Sequence, residues 1–202
     1  MNMLIDLLPT TLDVNGRSYP INSDFRTGIL FAELMADSDL EDEEKLGAGL
    51  ELFFGLQDEN TEETGLTAED LVEAIEAIYW FYRGGYEDYE EDHETGNGRS
   101  KPVMSYSHDA PYIYAAFLDQ YGIDLQDVEY LHWWKFRAMM RGLSEDCKLS
   151  KIISYRATQI TSEMTKNEKA FYRRMKRLYA LPEPRDEDTR DADWNDALSA
   201  FF

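Results

Sequence analysis

The residues that could do acid–base or nucleophilic chemistry are few and widely separated in this chain. His93, His108 and His132 lie far apart, and none belongs to a metal-binding pattern such as HExxH. Cys147, the single cysteine, has no histidine nearby in sequence that would activate its thiol. Nucleophilic catalysis needs a nucleophile within reach of an oriented base. We therefore expect no catalytic residues, no metal ligands and no cofactor, and we expect that the protein is not an enzyme.

One enzymatic alternative centres on His132, which is followed directly by Trp133 and Trp134. An active site there would lack a nucleophile with an oriented base. The neighbouring tryptophans favour a buried or partly buried imidazole with a structural role instead. If the histidine is structural, replacing it with alanine should leave the biological activity intact.

The densest apolar sequence, residues 106–143, predicts two helices separated at Gly122, which suits a helix C-terminus. Ser107 offers a cap for the first helix. The second run, from Val128 to Gly142, is apolar nearly all round, and a helix of that kind is normally buried on most sides. We interpret it as a central helix whose aromatic side chains form a core rather than a ligand pocket.

Local signals predict the remaining elements. Asn15-Gly16 between two short extended runs, Thr11–Val14 and Arg17–Ile21, predicts a β-hairpin because both turn residues need positive φ. Pro20 makes the second strand an edge strand or ends it. Apolar spacing and capping residues predict five further helices, at about Asp24 to Ala36, Glu43 to Phe54, Thr67 to Tyr82, Glu145 to Thr158 and Thr165 to Ala180. The predicted fold is all-α, mainly a helical bundle, with a short N-terminal β-hairpin.

Charge divides the chain unevenly. The net charge is −21: residues 1–104 carry 25 acids and 6 bases, residues 105–182 carry 9 acids and 12 bases, and residues 183–202 carry 7 acids and 2 bases. We predict an acidic hairpin with helices over 1–84, an acidic linker or loop over 85–104, a helical core with a tryptophan-rich central helix over 105–182, and an acidic tail with a short amphipathic end over 183–202.

Composition also excludes several classes of protein. So acidic a chain is a poor ligand for nucleic-acid phosphates. A single cysteine excludes an internal disulfide framework. No stretch approaches the roughly 18 apolar residues of a membrane span, and the N-terminus does not resemble a signal peptide. We expect a soluble, intracellular protein that binds neither nucleic acid nor membrane.

Two features are candidate partner-binding sites. The helix opened by the capping box Thr165–Glu168 has an apolar face that we expect to be buried, formed by Phe171, Met175 and Leu178, and bases on its remaining surface. The tail ends in four large apolar residues at spacings of three and four, which should dock on their own domain or on a partner. The candidates are Lys166, Lys169, Arg173, Arg174, Lys176 and Arg177 on the helix, and Trp194, Leu198, Phe201 and Phe202 in the tail.

Several stretches resemble the gene-product-fifteen family of tailed-phage proteins from Gram-positive hosts. They are LLPTTLDVNGRSYPINSDFRTGI, YSHDAPYIYAAFLDQYGIDL, YLHWWKFRAMMRGL and EKAFYRRMKRLY. The resemblance implies a tail assembly chaperone of long-tailed phages with non-contractile tails. Such a protein binds the tape-measure protein, keeps it soluble, helps recruit tail-tube subunits in the host cytoplasm, and leaves before the virion is finished. The resemblance brings no catalytic residues.

The charge supports a different class of function. An acidic protein can mimic DNA and block a host nuclease, provided that its carboxylates are spaced like phosphates on a rigid face. Many acids of this chain fall in predicted loops, which counts against mimicry. Competition with DNA for a basic nuclease would distinguish the two hypotheses. Self-association is a further expectation that the sequence leaves open.

Overall fold

The computed structural model describes residues 2–55, 66–86 and 102–182. Within those ranges the protein has seven α-helices and one two-stranded hairpin, which confirms the predicted fold class. The strands are β1 (Thr11–Val14) and β2 (Arg17–Pro20). The helices are α1 (Phe25–Ala36), α2 (Asp42–Phe54), α3 (Leu71–Tyr82), α4 (Ala110–Tyr121), α5 (Trp133–Arg141), α6 (Lys148–Ala157) and α7 (Lys166–Leu178).

Internal contacts divide the chain into two compact units, residues 1–151 and 152–202. The division falls within α6. Most of the predicted linker, residues 85–104, lies outside the described residues, so its character stays a prediction. The described residues on its two sides belong to the first unit. Among the described residues, no helix is long and apolar enough to cross a membrane.

The hairpin forms where the sequence predicts it. Asn15 and Gly16 both have positive φ, 50° and 75°, and the strands pair antiparallel around them. β2 ends at Pro20, as expected for a residue without an N–H. The Asn15 side chain donates a hydrogen bond to Asp70 at 2.6 Å, which ties the turn to the start of α3. That bond, with the donors of Thr67, holds the pKa of the Asp70 carboxyl below its usual value.

The capping box before α3 is confirmed, since the Thr67 N–H donates to Asp70 at 2.9 Å. A turn of 3-10 helix, Ala68–Asp70, precedes the α-helix. Leu71, the first residue of α3, is exposed. The side chains that α3 buries are those of Ala74, Ile78 and Phe81.

The start of α5 is the main correction to the predicted helices. The helix begins at Trp133, not at Val128. Residues 131–133 instead pair with residues 23–25: the Phe25 N–H donates to the Leu131 carbonyl at 2.8 Å, and the Trp133 N–H donates to the Ser23 carbonyl at 2.8 Å. These bonds hold the chain before Trp133 extended, so the helix cannot extend further back.

The same pairing involves the residue that caps α1. The cap is Asp24, whose Oδ1 accepts from the Arg26 N–H at 3.0 Å. The other carboxylate oxygen of Asp24 accepts from the Leu131 N–H at 3.0 Å. One aspartate therefore caps α1 and fixes the chain that leads into α5.

Stacked aromatic rings form the centre of the first unit. Trp133 lies parallel to Tyr82 at 5.3 Å between ring centroids, and Phe136 stacks on Phe25 and Phe117, each at 5.0 Å. Trp133, Phe136 and Phe117 are almost fully buried. The interpretation of this region as an aromatic core is therefore confirmed.

Candidate partner-binding surface

Helix α7 begins at the predicted capping box. The Thr165 hydroxyl accepts from the Glu168 N–H at 3.2 Å, and the Glu168 carboxylate accepts from the Thr165 N–H at 2.7 Å. Hydrogen bonds from Thr165 lower the pKa of Glu168. Two bases, Lys176 and Arg177, lie in the last turn, where positive charge is favourable at a helix C-terminus.

The six bases of α7 share one side of the helix, because their positions recur at spacings of three and four. Lys169 donates to the Ser162 carbonyl at 2.9 Å, and Lys176 donates to the Arg156 carbonyl. Within the described residues, no ion pair is formed by the exposed guanidinium groups of Arg173, Arg174 and Arg177. These three arginines are available to bind an acidic partner.

The expected burial of the apolar side of α7 is wrong. Phe171 is 46% exposed, Leu178 is 62% exposed, and Met175 is partly exposed. The contacts within the unit explain this result. The Tyr155 ring meets Phe171 edge-on at 5.8 Å and stacks on Tyr179 at 6.1 Å, so one aromatic side chain of α6 touches two rings of this side without enclosing them.

We call the three partly exposed residues Phe171, Met175 and Leu178 the apolar stripe of α7, and the six bases its basic face. At about 100° per residue the centre of the basic face lies roughly opposite the stripe, and Arg174 borders the stripe beside Phe171 and Leu178. An amphipathic helix of this kind can bind a segment that offers both apolar and acidic side chains.

The four tail candidates, Trp194, Leu198, Phe201 and Phe202, lie outside the described residues. Their assignment as partner-binding residues stays a prediction.

An apolar arm at the N-terminus, Met3–Leu8, was not predicted from the sequence. Leu4, Ile5 and Leu7 are each at least 80% exposed. The arm begins with a turn in which the Asn2 N–H donates to the Asp6 carboxylate at 2.7 Å. The available signal was local: five of the six residues from Met3 to Leu8 are apolar, just before a proline.

His132 has a structural role in the first unit. Its Nδ1 accepts from the Trp134 N–H at 3.0 Å and caps α5, and its Nε2 lies 2.9 Å from the Pro9 carbonyl oxygen, to which it donates. Burial lowers the pKa of His132, which keeps the imidazole neutral as this arrangement requires. In the described part of the chain, no cluster of histidine, cysteine or acidic residues could hold a metal ion.

The fold and this surface define a helical protein with a buried aromatic core and an exposed amphipathic helix. Residues 4–181 match the family described as Bacteriophage Gp15 protein. Because the match covers most of the chain, the protein belongs to the bacteriophage Gp15 family, and the resemblance is confirmed. Membership implies a phage structural or head–tail related protein. No curated protein and no solved structure matches the chain.

Proposed function

We propose that this protein is a tail assembly chaperone without enzymatic activity. It binds the tape-measure protein, keeps that protein soluble, and helps recruit tail-tube subunits during tail assembly in the host cytoplasm. It leaves before the virion is complete. Family membership and the resemblance of its most specific sequence stretches support this proposal.

The observation that carries the proposal is the incomplete burial of the apolar stripe on α7. Large apolar side chains gain roughly 1.5–3 kcal/mol each when they are fully buried. Phe171 and Leu178 retain much of that free energy for a partner, because about half of each side chain is exposed. A long helical client exposes apolar helix faces before it is assembled, and it can bury such a face against the apolar stripe of α7.

The basic face adds selectivity to this apolar contact. Arginine binds carboxylates through two parallel hydrogen bonds, so Arg173, Arg174 and Arg177 favour client segments that carry acidic residues beside apolar ones. The remaining surface of so acidic a protein repels such segments. We therefore expect the acidic segments of the client to bind at α7.

The N-terminal arm supplies a second apolar surface, in the first unit. Leu4, Ile5 and Leu7 can make hydrophobic contacts with a client or with an incoming tail-tube subunit. Two separate binding surfaces on one protein would raise the affinity for a long client through effective concentration.

The test is to express the full chain together with the tape-measure protein and to measure how much of the client remains soluble and co-purifies. We expect a stable complex, and its loss when Phe171→Ser and Leu178→Ser are combined. The matched control is Val72→Ser, which changes an apolar side chain that is 70% exposed on α3. If no complex forms at micromolar concentration with any client fragment, the proposal is wrong.

A second pair of variants tests the basic face. Reversing charge by Arg173→Glu with Arg177→Glu should weaken the complex more strongly at low salt than at high salt, because screening already reduces the attraction at high salt. Lys135→Glu, which changes an exposed base on α5, serves as the control. Adding tail-tube protein to the wild-type complex should give a ternary complex. Equal losses in the control and the α7 variants would contradict a role for this face.

A further inference from the structure

The open side of α7 is followed at once by a segment with complementary chemistry. The helix carries six bases and one acid, a net charge of +5, and the tail that follows Pro182 carries seven acids and two bases, a net charge of −5. The apolar stripe has a counterpart in Trp194, Leu198, Phe201 and Phe202, which recur at spacings of three and four. The two segments therefore have opposite net charges and a similar spacing of apolar residues.

The tail is also long enough to reach the whole helix. Twelve residues lead from Pro182 to Trp194, and an extended chain of that length spans about 40 Å. Helix α7 has 13 residues, which corresponds to about 20 Å. The chain can therefore turn back after Leu178 and bring Trp194 to any point along the stripe.

We propose that the tail, residues 183–202, occupies the apolar stripe and basic face of α7 within the same molecule, and that a client must displace it. The tail is then a built-in competitor. It covers Phe171 and Leu178 while no client is present, and it returns to them when the client leaves. Displacement of the tail by a client rests on the proposed chaperone function, whereas docking of the tail on α7 does not.

Attachment to the same chain favours the tail over a free competitor. A short flexible connection gives an effective concentration of about 1 mM, so a tail that binds with a dissociation constant of about 0.1 mM would leave the helix open roughly a tenth of the time. Removing the tail contact should then raise the exposure of the stripe about tenfold. A client must bind more tightly than this weak contact, which keeps the protein from binding every apolar segment it meets.

The test compares the full chain with a variant in which Trp194, Leu198, Phe201 and Phe202 are all changed to serine. Amide hydrogen exchange is followed over Phe171–Leu178, together with fluorescence of an anilinonaphthalene sulfonate dye that binds exposed apolar surface. We expect exchange to speed by up to about tenfold and dye binding to rise. Asn195→Ala with Ser199→Ala, two tail changes that leave the four apolar residues in place, is the control. Circular dichroism checks that the variants fold alike.

Concentration and salt decide between possible occupants. If the tail docks within its own molecule, the protection of the α7 amides is the same at protein concentrations of about 1 µM and about 100 µM. If it docks on a second copy, the protection rises with protein concentration. Raising the salt to about 1 M shortens the screening length to about 3 Å and should weaken the contact. Concentration-dependent protection would overturn the proposal in favour of a second copy, and unchanged exchange in the serine variant would overturn tail docking altogether.

Failure of this inference and failure of the proposed function are distinguishable. The exchange and dye measurements use no client, so they test docking alone. If docking holds and the chain is a chaperone, the serine variant should capture more tape-measure protein than the wild type does. If docking holds and no client is captured by either protein, only the proposed function fails.

Discussion

Helices α5 and α7 both carry aromatic residues and methionine, yet these side chains differ sharply in burial. Trp133, Trp134 and Phe136 of α5 are buried, whereas no side chain of α7 is buried. The difference comes from what packs against each helix. Rings from α1, α3 and α4 surround α5, while one tyrosine of α6 meets the rings of α7. Aromatic content alone therefore does not separate a buried helix from an exposed one.

The largest expected change in stability is for a residue of the buried helix, α5. Trp133→Ala should lower the free energy of unfolding by about 3–5 kcal/mol, because it leaves a cavity beside Tyr82 and Phe136. Denaturant titration measures the loss. Trp133→Phe should cost less, since it keeps an aromatic ring in place. The change also leaves the hydrogen bond from Arg137 to the Tyr82 carbonyl, 2.9 Å long, intact. A loss below about 1 kcal/mol for the alanine variant would contradict the packing described.

A glycine under the Trp133 ring gives the next largest effect. A Cβ atom at Gly28 would lie 2.3 Å from the Trp133 ring, so Gly28→Ala should destabilise the protein by about 1–3 kcal/mol. Gly47→Ala is the matched control, because a Cβ there meets nothing within 4 Å and the same change should stabilise α2 by about 0.5–1 kcal/mol. Thermal unfolding of both variants should show shifts of opposite sign. A stabilising shift for Gly28→Ala would show that Trp133 moves aside easily.

His132 gives a smaller effect that depends on pH. Its pKa is below its ordinary value of 6.5 in the folded protein, so the unfolded chain binds the proton more readily. The contribution of His132 to stability is complete above about pH 6.5 and is lost as the pH falls through the lowered pKa. His132→Ala should cost about 1 kcal/mol at pH 8 through loss of the cap.

The measurement is the unfolding free energy at several values between pH 8 and pH 5. His132→Asn is the control, because its side-chain oxygen can still cap α5 but does not titrate. The wild type should lose stability relative to the asparagine variant as the pH falls. Parallel curves for the two proteins would mean that the imidazole is not held neutral.

The smallest expected effect lies on α7. Leu178→Ser should change the unfolding free energy by no more than about 0.5 kcal/mol, since that side chain is 62% exposed. Urea unfolding tests this directly. A loss above about 1 kcal/mol would place α7 in a core and would remove the contrast between the two helices.

Local chemistry made much of the fold predictable. The Asn15-Gly16 turn, the capping box Thr165–Glu168 and the left-handed Gly122 at the end of α4 each depend on a few neighbouring residues, and each was found where the sequence predicts it. The buried face of α4 also follows its spacing, with Ile113, Ala116 and Phe117 buried.

What could not be predicted depends on residues far apart in sequence. The start of α5 is set by pairing with residues 23–25, which periodicity within α5 cannot reveal. The six bases of the candidate surface were identified because spacing shows which residues share a side of a helix. Spacing does not show what covers the opposite side, so Phe171 and Leu178 were wrongly expected to be buried. The arm at Leu4–Leu7 shows in the sequence only as a short apolar cluster, and the exposure of its side chains is visible only in the structure.

The bonds between residues 23–25 and 131–133 also affect how the chain is made. Asp24 and Leu131 are 107 positions apart, so at a synthesis rate of roughly 5–20 residues per second the ribosome needs about 5–20 seconds to supply the partner strand. During that time Phe25 has no Phe136 ring to stack on. We propose that this protein shields the apolar helices of another protein. During its own translation, however, the start of its own apolar helix α1 stays unshielded.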